Sequence, residues 1–180
     1  MLSGRDDQES MAKTISRRAD VQTIPVSFTL NGRLREIEVE PHELLLDVVR
    51  ERLGLTGAKR SCDVQVCGAC TLLVDGRPVS ACTMLAFEVR ERSVLTIEGL
   101  AEDGKLHPLQ EAFIEHGGFQ CGFCTPGMIL AAKALLDENP SPTEDQLKHF
   151  MHGNICRCTG YKKIIESIIA AAKQMRSARH

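Results

Sequence analysis

Eight cysteines fall into two groups of four, and the spacing inside each group is that of a metal site. The first group is Cys62-x4-Cys67-x2-Cys70, with Cys82 following after eleven intervening residues. A C-x4-C-x2-C…C spacing is the plant-type pattern for a 2Fe–2S cluster. A loop from Ser61 to Cys70 can wrap such a cluster, with Gly68 letting backbone amides approach the sulfides. If Asp75-Gly76 makes a two-residue hairpin turn, Cys70 faces Ala81 across the ladder and Cys82 arrives beside the loop. Pro78 has no N–H to give, so its strand should turn that edge outward.

The second group is Cys121-x2-Cys124 and Cys156-x-Cys158. A C-x2-C pair suits a turn or the first turn of a helix. A C-x-C pair converges in neither regular structure: in a strand the two side chains face opposite ways, and in a helix they lie roughly 200° apart. Cys156 and Cys158 therefore require an irregular loop, and Gly153, Asn154 and Gly160 give it freedom. Thr125-Pro126 reads as the N-cap and first residue of a helix after Cys124. The positive end of that helix would favour the negative charge of a bound cluster, which reduction increases. Tetrahedral zinc also takes four thiolates, often as C-x2-C pairs, so for this second set zinc stands beside iron–sulfur. The chain shows no Ser-His-Asp set, phosphate loop or dinucleotide fingerprint. Its six histidines have no ligand spacing and read as surface residues.

Two different scaffolds must position these cysteines. Ile24, Val26, Phe28 and Leu30 alternate as a half-buried strand does, and Asn31-Gly32 is a favoured hairpin turn leading to Ile37 and Val39 on the return strand. Pro41 is expected to open a helix with Leu45, Val48, Val49 and Leu53 on one face, stopped by Gly54. Strands over Thr71 to Val74 and Arg77 to Ser80 follow, with a last one near Val94 to Ile97. Two strands, a helix and more strands suggest a β-grasp. Beyond the polar stretch around Glu102, Asp103 and Gly104 the period becomes helical. Leu109, Phe113 and Ile114 mark one helix, Met128 to Leu136 a second, Thr143 to Met151 a third and Ile164 to Ala172 a fourth. The fold class expected is α+β: a plant-type ferredoxin-like β-grasp domain over 23–99, a linker over 100–106, and a four-helix domain over 107–180, after a tail over 1–22.

Composition limits the function. With 22 basic and 24 acidic residues the charge is nearly balanced, so the electrostatic footprint of a nucleic-acid binder is missing. No apolar run approaches the roughly 18 residues of a membrane span. Arg17-Arg18 is followed by polar residues rather than a hydrophobic stretch, so it reads as part of a solvated tail and the chain as cytoplasmic. In that compartment clustered thiols serve as metal ligands more than as disulfides.

Three stretches carry a family resemblance. Gly57-Ala58-Lys59-Arg60-Ser61-Cys62 through Cys67-Gly68-Ala69-Cys70-Thr71, with Val74-Asp75-Gly76 and Cys82, resembles the N-terminal cluster motif of the molybdenum hydroxylases. Gln120-Cys121-Gly122-Phe123-Cys124-Thr125-Pro126-Gly127-Met128 resembles their second motif. Gly153-Asn154-Ile155-Cys156-Arg157-Cys158-Thr159-Gly160-Tyr161 resembles their third. The chain thus resembles the small iron–sulfur subunit of the xanthine oxidase family over roughly residues 24 to 175, all eight cysteines included. The resemblance implies an electron-transfer subunit with two 2Fe–2S clusters. Its partners would be a large subunit carrying molybdenum on a pterin cytosine dinucleotide and a medium subunit carrying FAD, in an αβγ heterotrimer or its dimer. Electrons would pass from molybdenum to the helical-domain cluster, then to the β-domain cluster, then to flavin. Gln120 and Cys158 match positions near the pterin. Two positions depart from the family pattern: Ser61 and Gln65 stand where many members have glycine. A free-standing ferredoxin-like carrier and a zinc-binding interaction module are the competing classes. The substrate pocket would lie in another subunit, so hydroxylation of an N-heterocycle, aldehyde or purine, reductive dehydroxylation of an aromatic thioester and oxidation of carbon monoxide are all compatible with the resemblance.

Overall fold

The strands that carry the first cysteine set come together as expected, though the chain bends between them in a way the pattern did not announce. The computed structural model describes residues 22–178, so the expected tail lies outside the described residues but for Gln22. β1 (Ile24–Leu30) and β2 (Arg33–Val39) form an antiparallel hairpin, Leu30 facing Arg33. Its two-residue turn has Asn31 at φ 51° and Gly32 at φ 77°, the left-handed pair this hairpin demands. Val26, Phe28 and Leu30 are buried, confirming the period-two reading. Burying each such side chain contributes about 1.5–3 kcal/mol.

The next helix starts later than Pro41. Glu40 to Glu43 first make a turn, with the Glu43 carboxylate accepting from the Glu40 amide at 2.7 Å and held by Arg52 at 2.9 Å. Only then does α1 (Leu45–Asp47) begin, widening at once into a π turn over Val48–Arg52. There the Leu53 amide donates to the Val48 carbonyl at 3.0 Å, and Gly54 at φ 70° ends the segment. Leu45, Leu46, Val48 and Val49 are buried.

β3 (Thr71–Val74) and β4 (Arg77–Ser80) form a second hairpin across Asp75 and Gly76. β5 (Ser93–Leu95) then enters between β1 and β3, giving the five-stranded order β2-β1-β5-β3-β4 with β1 and β5 parallel. The last strand is shorter than expected because Ile97–Gly99 coils into a 3₁₀ turn. Pro78 lies on β4, at the sheet edge, where its missing donor is harmless.

Four helices follow. In α2 (Pro108–Glu115) Leu109, Ala112 and Phe113 are buried, while Ile114, expected on the apolar face, is 58% exposed. Its cap corrects another expectation: His107 is half-buried and structural, its Nδ1 accepting from the Leu109 amide at 3.2 Å. α3 (Thr125–Glu138) runs to the Asn139-Pro140 stop. α4 (Glu144–Phe150) is capped by Thr143, whose hydroxyl accepts from the Gln146 amide at 3.2 Å. α5 (Lys162–Ser177) buries Ile164, Ile165, Ile168, Ala171 and Ala172.

α3 is apolar nearly all round, the mark of a buried helix, and it serves two cores. Leu130 and Ala134 pack with the sheet and α1, while Met128, Ile129, Ala132 and Leu136 pack with the other helices. Among the described residues no helix is long and apolar enough to cross a membrane.

Candidate metal centres

The loop before β3 is shaped around sulfur. Asp63, Gln65 and Gly68 take φ values of 54°, 60° and 66°, so the chain curls inward over a few residues. This turns amides toward one thiol: Val66 and Cys67 both donate to the Cys62 sulfur at 3.4 Å. The Val64 amide, with those of Cys67 and Val66, draws the Cys62 thiol down to about 6. Gln65 thus adopts a left-handed geometry that glycine enters at less cost. Its side chain accepts from the Thr83 hydroxyl at 3.3 Å. At the other end of the loop Cys70 is buried, and burial pushes its thiol up to about 12, with Cys82 beside it.

Cys82 arrives by the expected route. Thr71 pairs with Ser80, and continuing that register sets Cys70 against Ala81. The Ala81 carbonyl accepts from the Leu46 amide at 3.0 Å, which ties the returning strand to α1, and Thr83 then turns back onto Ser80. Cys82 is left buried beside Cys70.

The second set gathers at the start of α3. Cys124 is the N-cap residue, and Thr125 is the first helical residue rather than the cap. Cys156 and Cys158 come from the irregular chain between α4 and α5, closed by Gly160 at φ 64° and Tyr161 at φ 68°. The Tyr161 hydroxyl accepts from the Cys156 amide at 3.0 Å, and the Thr159 amide and hydroxyl lie 3.4 and 3.1 Å from the Cys156 sulfur. Burial pushes the Cys156 thiol up, but hydrogen bonds from the Thr159 groups, the Cys158 amide and Cys124 together outweigh it and leave it below its ordinary value. Burial, then contact with Cys156, pushes the Cys124 thiol up to about 12. Contact with Cys121 raises the Cys158 thiol, and those two sulfurs are 3.6 Å apart.

The sulfurs therefore associate two by two: Cys62 with Cys67, Cys70 with Cys82, Cys121 with Cys158 and Cys124 with Cys156. A 2Fe–2S cluster has four thiolate ligands shared between two irons. Tetrahedral zinc would need all four sulfurs about 2.3 Å from one centre. Among the described residues no three His, Cys, Asp or Glu side chains converge as one ion requires. A further sign of fit is Thr125 Oγ1, buried and without a hydrogen-bond partner one residue after Cys124. An orphaned hydroxyl there suits a sulfur acceptor from a bound cluster.

Comparison with known proteins agrees with this chemistry. Residues 28–98 match the model of the 2Fe-2S iron-sulfur cluster binding domain, and residues 96–169 match that of the [2Fe-2S] binding domain. The nicotinate dehydrogenase small FeS subunit of Eubacterium barkeri is 50% identical over 84% of this chain and 96% of its own. The nicotine 6-hydroxylase small subunit of Paenarthrobacter nicotinovorans is 45% identical over 84% and 92%. The crystal structure of quinoline 2-oxidoreductase from Pseudomonas putida 86 superposes with a TM-score of 0.83 at 45% identity, covering 88% of this chain and 99% of that one. The chain belongs to the small iron–sulfur subunits of the molybdenum hydroxylases. It is an electron-transfer subunit with two 2Fe–2S clusters, and the zinc and free-carrier alternatives give way.

In this iron–sulfur subunit the two sites differ in exposure. Cys70 and Cys82 are buried, whereas Cys121 and Cys158 are exposed, with Gln120 exposed beside Cys121. Phe119, Phe123, Ile155 and Tyr161 are exposed in the same segments, and Val64 and Val66 are exposed between Cys62 and Cys67. Three contributors to the sites were not singled out for the roles they play. Asn154, taken as a source of loop freedom, is buried and hydrogen-bonded to the first loop. Gly127 lies against the Gly68 carbonyl. Thr159 holds Cys156. All three lie within the quoted family motifs, which mark the segments without giving these contacts.

Proposed function

We propose that this subunit relays single electrons from a molybdenum–pterin centre in a large partner, through the cluster of Cys121, Cys124, Cys156 and Cys158, then the cluster of Cys62, Cys67, Cys70 and Cys82, to FAD in a medium partner. The observation that carries this reading is the meeting of the two loops: the Ile155 amide, next to Cys156, donates to the Cys67 carbonyl at 2.9 Å. Ligand loops of two separate sites thus touch through a direct backbone hydrogen bond. The clusters would supply one-electron storage; the chain supplies thiolates, amides and a fixed separation.

The remaining assignments follow from the same reading. The sheet and α1, over 23–99, form a β-grasp unit, and 107–180 a four-helix unit, joined by 100–106. The partner with the pterin docks on the second site, where Cys121 and Cys158 reach the surface among Phe119, Phe123, Ile155 and Tyr161. Gln120 is placed there to hydrogen-bond a pterin edge. The flavin partner docks over Val64 and Val66. The assembly is a heterotrimer or its dimer in the cytoplasm.

The test is made on the protein isolated with its partners. About four iron and four sulfide per chain are expected, with two rhombic paramagnetic signals after reduction. Cys156→Ser should abolish one signal and Cys82→Ser the other. Gln120→Ala should leave both clusters in place but slow their reduction by substrate. If a change beside Cys67 slows that step and Gln120→Ala does not, the order is the reverse.

A further inference from the structure

The junction between the two cysteine loops holds a polar residue that cluster ligation does not account for. Asn154 is 6% exposed and stands two residues before Cys156. Its Nδ2 donates to the Gly68 carbonyl at 3.1 Å and to Thr71 Oγ1 at 3.3 Å. Both acceptors flank Cys70, and Gly68 directly follows Cys67. The Thr71 hydroxyl donates to the same Gly68 carbonyl at 2.7 Å, so the three groups close a small ring. The Asn154 amide is itself held by the Met151 carbonyl at 3.0 Å, and the next residue makes the bond to Cys67.

Space at this point is exhausted. A Cβ on Gly68 would lie 2.5 Å from Asn154 Nδ2, and one on Gly127 would lie 2.2 Å from the Gly68 carbonyl oxygen. Two glycines, one in each cysteine segment, are thus stripped of side chains where the amide enters. A buried amide is costly unless fully paired, and an apolar side chain of similar size would fill the same volume. The two cores are already joined through α3, so the amide is not needed merely to hold them together. What it adds is direction. Its donors reach both acceptors at one relative position of the two loops, whereas apolar contact tolerates sliding.

We propose that Asn154 is a positioning residue for electron transfer between the two clusters: it locks the Cys67–Cys70 segment against the Cys156–Cys158 segment and so fixes the gap the electron crosses. The inference rests on the relay reading above. In the step concerned one electron leaves a reduced cluster and enters an oxidised one; no proton moves and no ligand changes. Its rate falls steeply as the gap widens, so a small loosening of the junction is felt there first.

The experiment uses the assembled enzyme carrying Asn154→Ala or Thr71→Val. Each is assayed for iron and sulfide, for the midpoint potential of each cluster, for magnetic splitting between the two reduced clusters, and for the inter-cluster rate by flash reduction. Asn154→Ala should keep both clusters and both potentials, yet show weaker splitting and a slower rate. Thr71→Val, which leaves the Gly68 bond of Asn154 intact, should fall between that variant and the parent, and the double variant should add less than the sum of the two. Wild-type splitting and rate in a fully loaded Asn154→Ala enzyme overturn the proposal. So does loss of a cluster in Asn154→Ala alongside wild-type splitting in Thr71→Val, since Asn154 would then serve cluster assembly. Little iron in the parent enzyme overturns the relay reading and this inference with it.

Discussion

Replacing Gly127 by alanine sets two physical effects against each other at a single atom. Gly127 is the third residue of α3, where alanine is favoured over glycine by up to about 1 kcal/mol. The added Cβ, however, would sit 2.2 Å from the Gly68 carbonyl oxygen and 3.3 Å from its carbon. Even a tight C···O contact is about 3.3 Å, so the helix start and the first cysteine loop must separate by about 1 Å. Neither side can yield by turning a flexible side chain, because the contact is backbone against backbone. Overpacking of this kind costs about 1–3 kcal/mol, and the propensity gain is partial so near a helix end. The net expectation for Gly127→Ala is a loss of about 1–2 kcal/mol. Denaturant titration followed by the visible absorption of the clusters measures it, with Gly153→Ala as the control: nothing lies within 4 Å of that Cβ and its φ is not positive. Gly68→Ala should be worse than Gly127→Ala, since it combines two contacts at 2.5 Å with a φ of 66°. A Gly127→Ala protein as stable as its parent, or more so, would show that helix propensity outweighs the contact and that the two loops are not held at this distance.

Three further outcomes follow from particular groups. Thr125→Val should lower the midpoint potential of the second cluster by on the order of 40 mV, the one-electron equivalent of roughly 1 kcal/mol of hydrogen bond to sulfur. Thr125→Ser should restore it, and equal potentials in all three proteins would mean the orphaned hydroxyl does not touch the cluster. In metal-free protein Cys62, drawn down to about 6 by the Val64, Cys67 and Val66 amides, should alkylate fastest at pH 7 and slow only as pH falls through about 6. Cys70 and Cys124, pushed up to about 12, should stay unreactive under those conditions, as peptide mass spectrometry after iodoacetamide treatment would show. Burial, with Lys133 nearby, lowers the folded pKa of His107 below its unfolded value of about 6.5. The unfolded chain then binds the extra proton first, so the stability this cap contributes is complete above about 6.5 and is lost as pH falls from there through the folded value. Thermal melts between pH 7.5 and 5 should show that loss, and His107→Asn, which caps without titrating, should flatten it.

The legible parts of this protein were those written in local spacing. Asn31-Gly32 and Asp75-Gly76 are dipeptides whose backbone preference fixes both turn and register, so the arrival of Cys82 beside Cys70 could be worked out from a hairpin rule. The helix beginning at Thr143 was equally plain. The start of α1 was not, because the turn at Glu40–Glu43 depends on Arg52 reaching back to Glu43, a pairing that no periodicity announces. Ile114 and His107 were misread because a helix face says which residues could be buried, while the neighbour that covers them comes from elsewhere in the chain.

The least legible part was how the two cysteine sites relate. Each set of four closes within its own segment, and spacing alone describes two independent modules. The structure joins them through groups whose joining role the spacing does not state: Gly68 and Gly127 by having no side chain, Asn154 by being polar where the chain is buried, and α3 by belonging to both cores. Three-dimensional proximity sets those roles, so they leave almost no local mark. A subunit whose task is to pass electrons between fixed points needs separation held more tightly than either module alone can provide. Close backbone packing with one buried amide whose Nδ2 donates across the junction meets that need, because it has few alternative arrangements of similar energy.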